Sequence, residues 1–448
     1  MALLFLLSFL LLRIERGAAS SGTYAFFGLL LGVCYLARSA FLTVAGLYIV
    51  VVCVLLRHQK RSFVRPAVLM SASAVLVSAP FLTALAAAKG RFTLGTAGRL
   101  NYGWEICGAA RSIHWQGEPY DIGVPKHTTT KISTRPAAYT FDGPVPGSYP
   151  LWYEPSYWYE GIQPHFEPIR QLKVLAGSAR YLAYLFVLSP VAPVFLWSLL
   201  TGGSGWLRQL TASYWFLLLP PLLYVGLYCL VFVDRRYVGG ALVIVWICLL
   251  ASVGGPVRKL RLVNGSVQAL SILFCLAFLA VKFAEPVRLT WTDLIRGSES
   301  EWNLQWMVAQ RLRQLGVRAG DRVAYIGEAI NADWVRLDGA RIVAEVPVLW
   351  VRYENLNRFV QPDPTEVKAF WSAAPETRAR ILEAFQRAGA SMVIADSAPA
   401  ASRREGWQSV FAAGTAHLPW SDGQLWDYKR SAFLMLPPAP ETVRASAR

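Results

Sequence analysis

The sequence predicts a multi-pass α-helical membrane protein that carries a C-terminal soluble α/β domain. Its 448 residues are 54% hydrophobic and only 16% charged, against about 25% charged in an ordinary soluble domain. Seven apolar runs punctuate residues 22–283, and from about residue 284 the pattern changes to helix and strand periodicities with balanced charge. These features divide the chain into helices over 1–88, an aromatic-rich outer loop over 89–177, further helices over 178–283 and a soluble domain over 284–448.

A membrane-crossing helix needs about 20 apolar residues. The runs that approach this are Gly22–Ala37, Ser39–Leu56, Val64–Ala88, Ala179–Leu200, Leu210–Val233, Tyr237–Val253 and Ser266–Phe283. Seven spans are expected, the first two short. Met1–Leu12 is wholly apolar but reaches only about 18 Å as a helix, so it reads as the end of a span that begins earlier. It has no basic residue before its apolar run, unlike a secretory leader.

Charge orients these spans. The most basic short connectors hold Arg57, Lys60, Arg61 and Arg65, and then Arg258, Lys259 and Arg261. Cytoplasmic loops collect Lys and Arg, so both connectors belong inside, and alternation puts the 89–177 loop and the C-terminal domain outside a cell membrane. Residues 284–448 hold 20 basic and 19 acidic groups and the loop 9 and 7, which leaves 15 basic against 2 acidic in the spans and short connectors. The net charge of +16 is therefore a membrane-topology signal with attraction to anionic lipid, and no nucleic-acid partner is expected. Five of the six cysteines lie in apolar runs and only Cys107 is in the loop, so no disulfide framework is expected. His114, His127 and His165 share the loop but match no zinc spacing, and no metal is expected.

In the C-terminal domain, an amphipathic helix over Glu301–Leu315 leads into a strand over Arg322–Ile326. A second strand over Arg341–Val346, a helix over Glu376–Ala388 and a third strand over Ser391–Asp396 follow, with edge strands at Leu425–Tyr428 and Ala432–Leu436. This order predicts a small, mainly parallel sheet. Only Gly327 follows the first strand, so the glycine-rich turn that cradles a dinucleotide is missing and no cofactor is expected.

The densest functional signal is the loop segment Tyr149–Gly161. Rings of Trp152, Tyr153, Tyr157, Trp158 and Tyr159 alternate there with the carboxylates Glu154 and Glu160. Flat rings cover the C–H faces of a sugar and carboxylates accept its hydroxyl groups, so these residues are candidate ligand contacts. Trp and Tyr are equally the residues of a membrane interface. Lys126, His127, Lys131 and Arg135 precede the segment as phosphate contacts or solvated charges. Asp234-Arg235-Arg236-Tyr237 stands at the outer end of a span, where guanidinium groups can grip a phosphate or anchor the helix at the interface. Arg38 lies between two apolar runs and is expected to face a cavity, a connector or the outer surface.

The segment Gly28-Leu-Leu-Leu-Gly-Val-Cys-Tyr-Leu-Ala-Arg38 resembles the "GLLLGLAYLTRPE" stretch of GT-C-fold, polyprenyl-phosphate-sugar-dependent glycosyltransferases, the class of protein mannosyltransferases and aminoarabinose transferases. Ser39 replaces the Pro common in that family. Asp234–Tyr237 is similar to the acidic-Arg-Tyr entry to one of its late spans. The resemblance implies transfer of a sugar from a polyprenyl phosphate to an acceptor glycan, lipid or protein on the outer face, with Arg235, Arg236 and Tyr237 at the donor. It also implies a carboxylate base in a first outer loop, which would precede residue 1. Within the chain, Glu105, Glu118, Asp121, Asp142, Glu154 and Glu160 are the outer-loop acids within reach of such a site, and the catalytic residue is left unassigned. The alternative is a non-catalytic membrane protein that binds or translocates an envelope glycolipid.

Overall fold

The computed structural model describes residues 2–111, 113–141, 155–189, 205–257, 304–329, 332–352, 360–411 and 432–436, with scattered positions between them. The chain forms two compact units, one from residues 1–107 and 164–283, the other from 108–163 and 284–448.

The first unit is helical. Its helices are α1 (Ala2–Glu15), α2 (Ser21–Ala37), α3 (Phe41–His58), α4 (Val64–Lys89), α5 (Ala97–Glu105), α6 (Pro168–Val187), α7 (Gly205–Ser213), α8 (Trp215–Cys229) and α9 (Arg235–Val257). Among the described residues, three helical stretches are long and apolar enough to cross a membrane: Phe41–His58, Val64–Lys89 and Arg235–Ser252. Ser21–Ala37 and Trp215–Cys229 are apolar but shorter. Five of the seven expected runs thus coincide with apolar helices. The run expected at Ala179–Leu200 differs, since α6 starts at Pro168 and ends at Val187. Proline at the first helical turn fixes that start, and Arg170, Lys173 and Arg180 make the helix amphipathic. The run at Ser266–Phe283 lies largely outside the described residues.

Local chemistry sets the ends of α2. Ser20 Oγ accepts from the Thr23 backbone N–H while Thr23 Oγ1 accepts from the Ser20 N–H, a reciprocal cap that satisfies two otherwise orphaned donors. At this end Arg61 donates to the Gly17 carbonyl and Gln59 to the Ile14 and Glu15 carbonyls, so the basic connector of α3 and α4 gathers around the start of α2. Arg38 closes the opposite end.

Gly28 and Gly32 explain how α2 meets α4. A Cβ on Gly28 would lie 2.2 Å from the Met70 carbonyl oxygen, and one on Gly32 would lie 2.8 Å from the Ala74 carbonyl oxygen. Small residues four apart let two helix backbones approach where lipid supplies no hydrophobic drive. Gly28→Leu is therefore expected to destabilise the helical unit by about 2–3 kcal/mol, because backbone atoms cannot yield as a flexible side chain does. Gly46, on α3, has nothing within 4 Å of its Cβ position. Thermal unfolding in detergent should show a lowered midpoint for Gly28→Leu and little change for Gly46→Leu; equal midpoints would contradict this packing.

The second unit is a mixed α/β fold built on a seven-stranded sheet of order β1-β2-β4-β3-β7-β9-β8. Its strands are β1 (Thr130–Thr134), β2 (Ala137–Thr140), β3 (Arg322–Gly327), β4 (Arg341–Pro347), β7 (Met392–Ala395), β8 (Gln408–Ser409) and β9 (Ala432–Met435). A separate pair, β5 (Leu349–Arg352) and β6 (Val360–Asp363), is antiparallel. The expected parallel strands are present as β4-β3-β7. A strand is present within 432–436 as β9, antiparallel to β7, but it is not the expected edge, because β8 pairs with its other side; Leu425–Tyr428 lies outside the described residues.

The segment expected to be an outer loop contributes a hairpin to this sheet. Tyr139 pairs with Glu345 and Thr140 with Ala344, and the Phe141 N–H donates to the Val343 carbonyl, so β2 adds antiparallel to β4. Helices α10 (Leu304–Gln314), α11 (Trp334–Asp338), α12 (Thr365–Ser372) and α13 (Pro375–Arg387) belong to the same unit, as does a short helical turn at Pro155–Trp158. Phe370, Ile381 and Phe385 from α12 and α13 share a core with Ala324, Ile326, Val346 and Val393 of the sheet. Tyr325 and Trp334 meet on the other face, with ring centroids 6.0 Å apart.

Strand β3 is the first parallel strand and has β4 on one side and β7 on the other, so its C-terminal end is the point where strand order reverses. Buried Asp396 closes that end, accepting from the Tyr325 hydroxyl and from the Glu328 N–H. Gly327 has φ +146°, and a Cβ there would strike the carboxylate. Burial pushes the Asp396 carboxyl up to about 7, although the two hydrogen bonds pull it down. The acid is thus protonated in the folded chain over a range where the unfolded chain, near its ordinary 3.8, is ionised. Stability from this group is intact below about pH 4 and declines as pH rises to about 7, by about 4 kcal/mol in total. Asp396→Asn should remove that decline. Unfolding curves of the two proteins that run parallel from pH 4 to 8 would contradict it.

Candidate functional site

Three helix ends converge in the helical unit around residues far apart in sequence. Arg38, at the end of α2, donates from Nη1 to the Tyr228 hydroxyl at 3.1 Å. Its guanidinium carbon lies 3.9 Å from the centre of the Tyr237 ring, in the first turn of α9. Tyr224, Tyr228 and Tyr237 form a ladder, with centroid separations of 5.0 and 5.6 Å. Phe41 continues it from α3, 5.9 Å from Tyr224. An electron-rich ring face attracts a guanidinium, so this ladder holds Arg38 extended at the protein surface.

Arg236 lies against the same ring at 5.8 Å. Two guanidinium groups thus share Tyr237. Asp234 restrains Arg236, accepting from its Nε at 3.2 Å and from its backbone N–H at 2.7 Å. Burial pushes the Asp234 carboxyl up, but these bonds outweigh it and hold the group below its ordinary value. Three cations, Arg38, Arg235 and Arg236, stand with one anion near this helix end. Arg38 spends one N–H on Tyr228, and its other donors meet no acceptor among the described residues. Such a cluster of directed donors with excess positive charge suits a phosphate or carboxylate.

The aromatic segment is arranged differently. Trp152, Tyr153 and Glu154 lie outside the described residues. Trp158 and Tyr159 are buried in the α/β unit, 3% and 1% exposed. Tyr159 stacks on Trp115 at 5.3 Å and donates its hydroxyl to the Ala110 carbonyl. These two rings are spent on the interior. Tyr157 is half-buried and Glu160 exposed, and both meet His127: the rings of His127 and Tyr157 are 3.9 Å apart and 10° from parallel, and His127 Nε2 is 2.9 Å from Glu160 Oε2. The His127 hydrogen bond, with Lys126 at 3.5 Å, holds the Glu160 carboxyl below its usual range.

The three loop histidines each face a separate carboxylate. His114 meets Glu345, His127 meets Glu160, and His165 lies 3.4 Å from Glu167. Glu105 is buried in α5, Glu118 accepts from the Gln116 N–H at 2.8 Å, Asp121 is exposed, and Asp142 lies outside the described residues.

Comparison with known proteins returns no match among family models, curated proteins or solved structures. The reading of this chain therefore rests on its own residues. Sequence reasoning singled out Arg38 and Tyr237 separately and overlooked Tyr224 and Tyr228. Two tyrosines four residues apart at the end of an apolar helix share a face, and that spacing is the signal that marks them.

Proposed function

We propose that this chain is a multi-pass membrane protein of glycosyltransferase type, holding a polyprenyl-phosphate-linked sugar at the Arg38–Tyr228–Tyr237 cluster. The observation that carries the reading is the pair of guanidinium groups on one tyrosine ring. Arg236 is already paired with Asp234, whereas Arg38 has no carboxylate partner among the described residues, and a lipid phosphate at a helix end would supply an anion for it while its chain stays in the bilayer. Arg38 has the free donors to bind phosphate oxygens in bidentate fashion. Arg236, restrained by Asp234, adds charge without chain entropy to lose.

Charge placement supports an outer-face site. The Arg38 end of α2 is opposite the end where Arg61 and Gln59 gather, and basic connectors favour the cytoplasmic side. In a transfer reaction the cationic cluster would stabilise the departing polyprenyl phosphate. The test is turnover of a labelled polyprenyl-phosphate sugar by the full chain in cell-membrane vesicles, which supply natural acceptors. Release of polyprenyl phosphate above that of vesicles lacking the chain supports the enzyme reading, and its absence refutes it.

A binding-only role draws support from the loop acids. Glu105 is buried, Glu118 caps a backbone N–H and Glu160 is held by His127. None of these three stands ready as a carboxylate base.

A further inference from the structure

At the end of the helical unit opposite Arg38, α1 and α3 finish side by side in the same kind of turn. Helix α1 closes with the Gly17 N–H on the Ile14 carbonyl and the Ala18 N–H on the Arg13 carbonyl, and Gly17 takes φ +72°. Helix α3 closes with the Lys60 N–H on the Arg57 carbonyl and the Arg61 N–H on the Leu56 carbonyl. Lys60 holds φ +57°, in the left-handed region where glycine is the usual residue, so this turn keeps a cation at a conformational cost. Gln59 ties the two turns together by donating to the Ile14 and Glu15 carbonyls. Arg13 donates from Nη2 to the Ala18 carbonyl at 3.3 Å and Arg61 from Nη1 to the Gly17 carbonyl at 3.4 Å, so one guanidinium from each turn is pinned on adjacent backbone carbonyls. Their remaining N–H donors meet no acceptor among the described residues.

Arg16, Arg57, Lys60 and Arg65 are exposed at the same end, and Glu15 is the only acid in residues 1–88. None of these six cations forms an ion pair among the described residues. The helix dipoles do not offset them, since α1 and α3 bring C-terminal ends here and α2 and α4 N-terminal ends, each about half a unit charge and opposite in sign. Cations gathered on two turns with so little negative charge suit a ligand with two anionic groups, and basic pockets among membrane helices recognise lipids of that kind. Val64 and Val68 run along α4 from this end, both exposed, and offer acyl chains an apolar surface. We propose that this end binds an anionic lipid carrying two phosphate groups, one on Arg13 and Arg16 at the α1 turn and one on Lys60 and Arg61 at the α3 turn. A lipid with a single phosphate engages one turn only. The inference is independent of the Arg38 site and of the transfer reading.

Native mass spectrometry of the full chain in detergent tests this, with cardiolipin as the two-phosphate probe and phosphatidylglycerol, at twice its concentration, as the one-phosphate control. The wild-type chain should retain cardiolipin in preference to phosphatidylglycerol, and Arg38→Ala/Arg236→Ala should keep that preference. Arg13→Gln/Arg61→Gln should lower cardiolipin retention roughly 10- to 100-fold, the loss expected for charge-assisted hydrogen bonds, with circular dichroism unchanged. Lys60→Gly removes a cation without straining its turn, so it should lower retention by a smaller factor in a chain that folds as the wild type does. Equal retention of the two lipids by the wild-type chain would overturn the proposal and leave only general attraction to anionic lipid. Undiminished cardiolipin retention in Arg13→Gln/Arg61→Gln and in Lys60→Gly would overturn it too. Loss of the preference in Arg38→Ala/Arg236→Ala would place the lipid at the Arg38 cluster instead.

Discussion

On the proposed donor site, Arg38→Ala is expected to lower the affinity of the full chain for polyprenyl phosphate by roughly 10- to 100-fold. The figure follows from the loss of charge-assisted hydrogen bonds, about 1.5–3 kcal/mol, at about 1.4 kcal/mol per tenfold. Arg38 is exposed and its ring partner is retained in the variant, so the change should appear in binding and leave stability nearly unaltered. Arg38→Lys keeps the charge but loses the planar fork, and should lie between wild type and alanine. Tyr228→Phe removes the hydroxyl that accepts from Arg38 Nη1. It should weaken binding less than Arg38→Ala, because the Tyr237 ring still holds the guanidinium. Lipid-loaded nanodiscs and a fluorescent polyprenyl phosphate would measure all four proteins. Equal affinities would remove Arg38 from the site.

The largest stability effect is expected in the α/β unit, from His114→Ala. His114 and Glu345 face one another with side chains 4% and 1% exposed, and Tyr139 covers the imidazole at 4.3 Å. Losing the imidazole leaves a cavity and removes a polar partner of the buried Glu345 side chain, which costs about 3–5 kcal/mol. Adding Glu345→Gln to that variant should recover part of the loss, since the amide keeps the side chain's size and adds a donor of its own to the buried polar contacts. The hairpin β1–β2 pairs with β4, so the two chain segments of this unit should unfold together. Proteolysis in denaturant is expected to cut within Thr130–Thr140 and within the C-terminal helices at the same concentration. Release of the hairpin with the C-terminal helices still protected would contradict a single cooperative unit.

What the sequence revealed depended on how far apart the interacting residues lie. The parallel strands were legible because each is a short apolar run buried on both faces, such as Val323-Ala324-Tyr325-Ile326. The hairpin was not, because Lys131-Ile132-Ser133-Thr134 has no clear alternation and β4, the partner of β2, lies some 200 residues on. Apolar length located α3, α4 and α9 closely. It misplaced α6, whose start is set by a proline within a polar stretch. The aromatic segment shows a different limit. Ring density marks residues that cover large surfaces but not which surface, and Trp158 and Tyr159 cover the interior while Tyr157 meets His127. Arg38 was conspicuous as a charge between apolar runs, yet its partner Tyr228 is 190 residues away and only the fold brings them together.

Discrimination between polyprenyl phosphate and the uncharged polyprenol of equal length tests the central claim most directly. Native mass spectrometry of the detergent-solubilised full chain would read both ligands in one competition. The Arg38–Arg236–Tyr237 cluster predicts that the phosphate is retained and the alcohol is not, with the preference lost in Arg38→Ala/Arg236→Ala. Equal retention of the two lipids by the wild-type chain would contradict a phosphate site there.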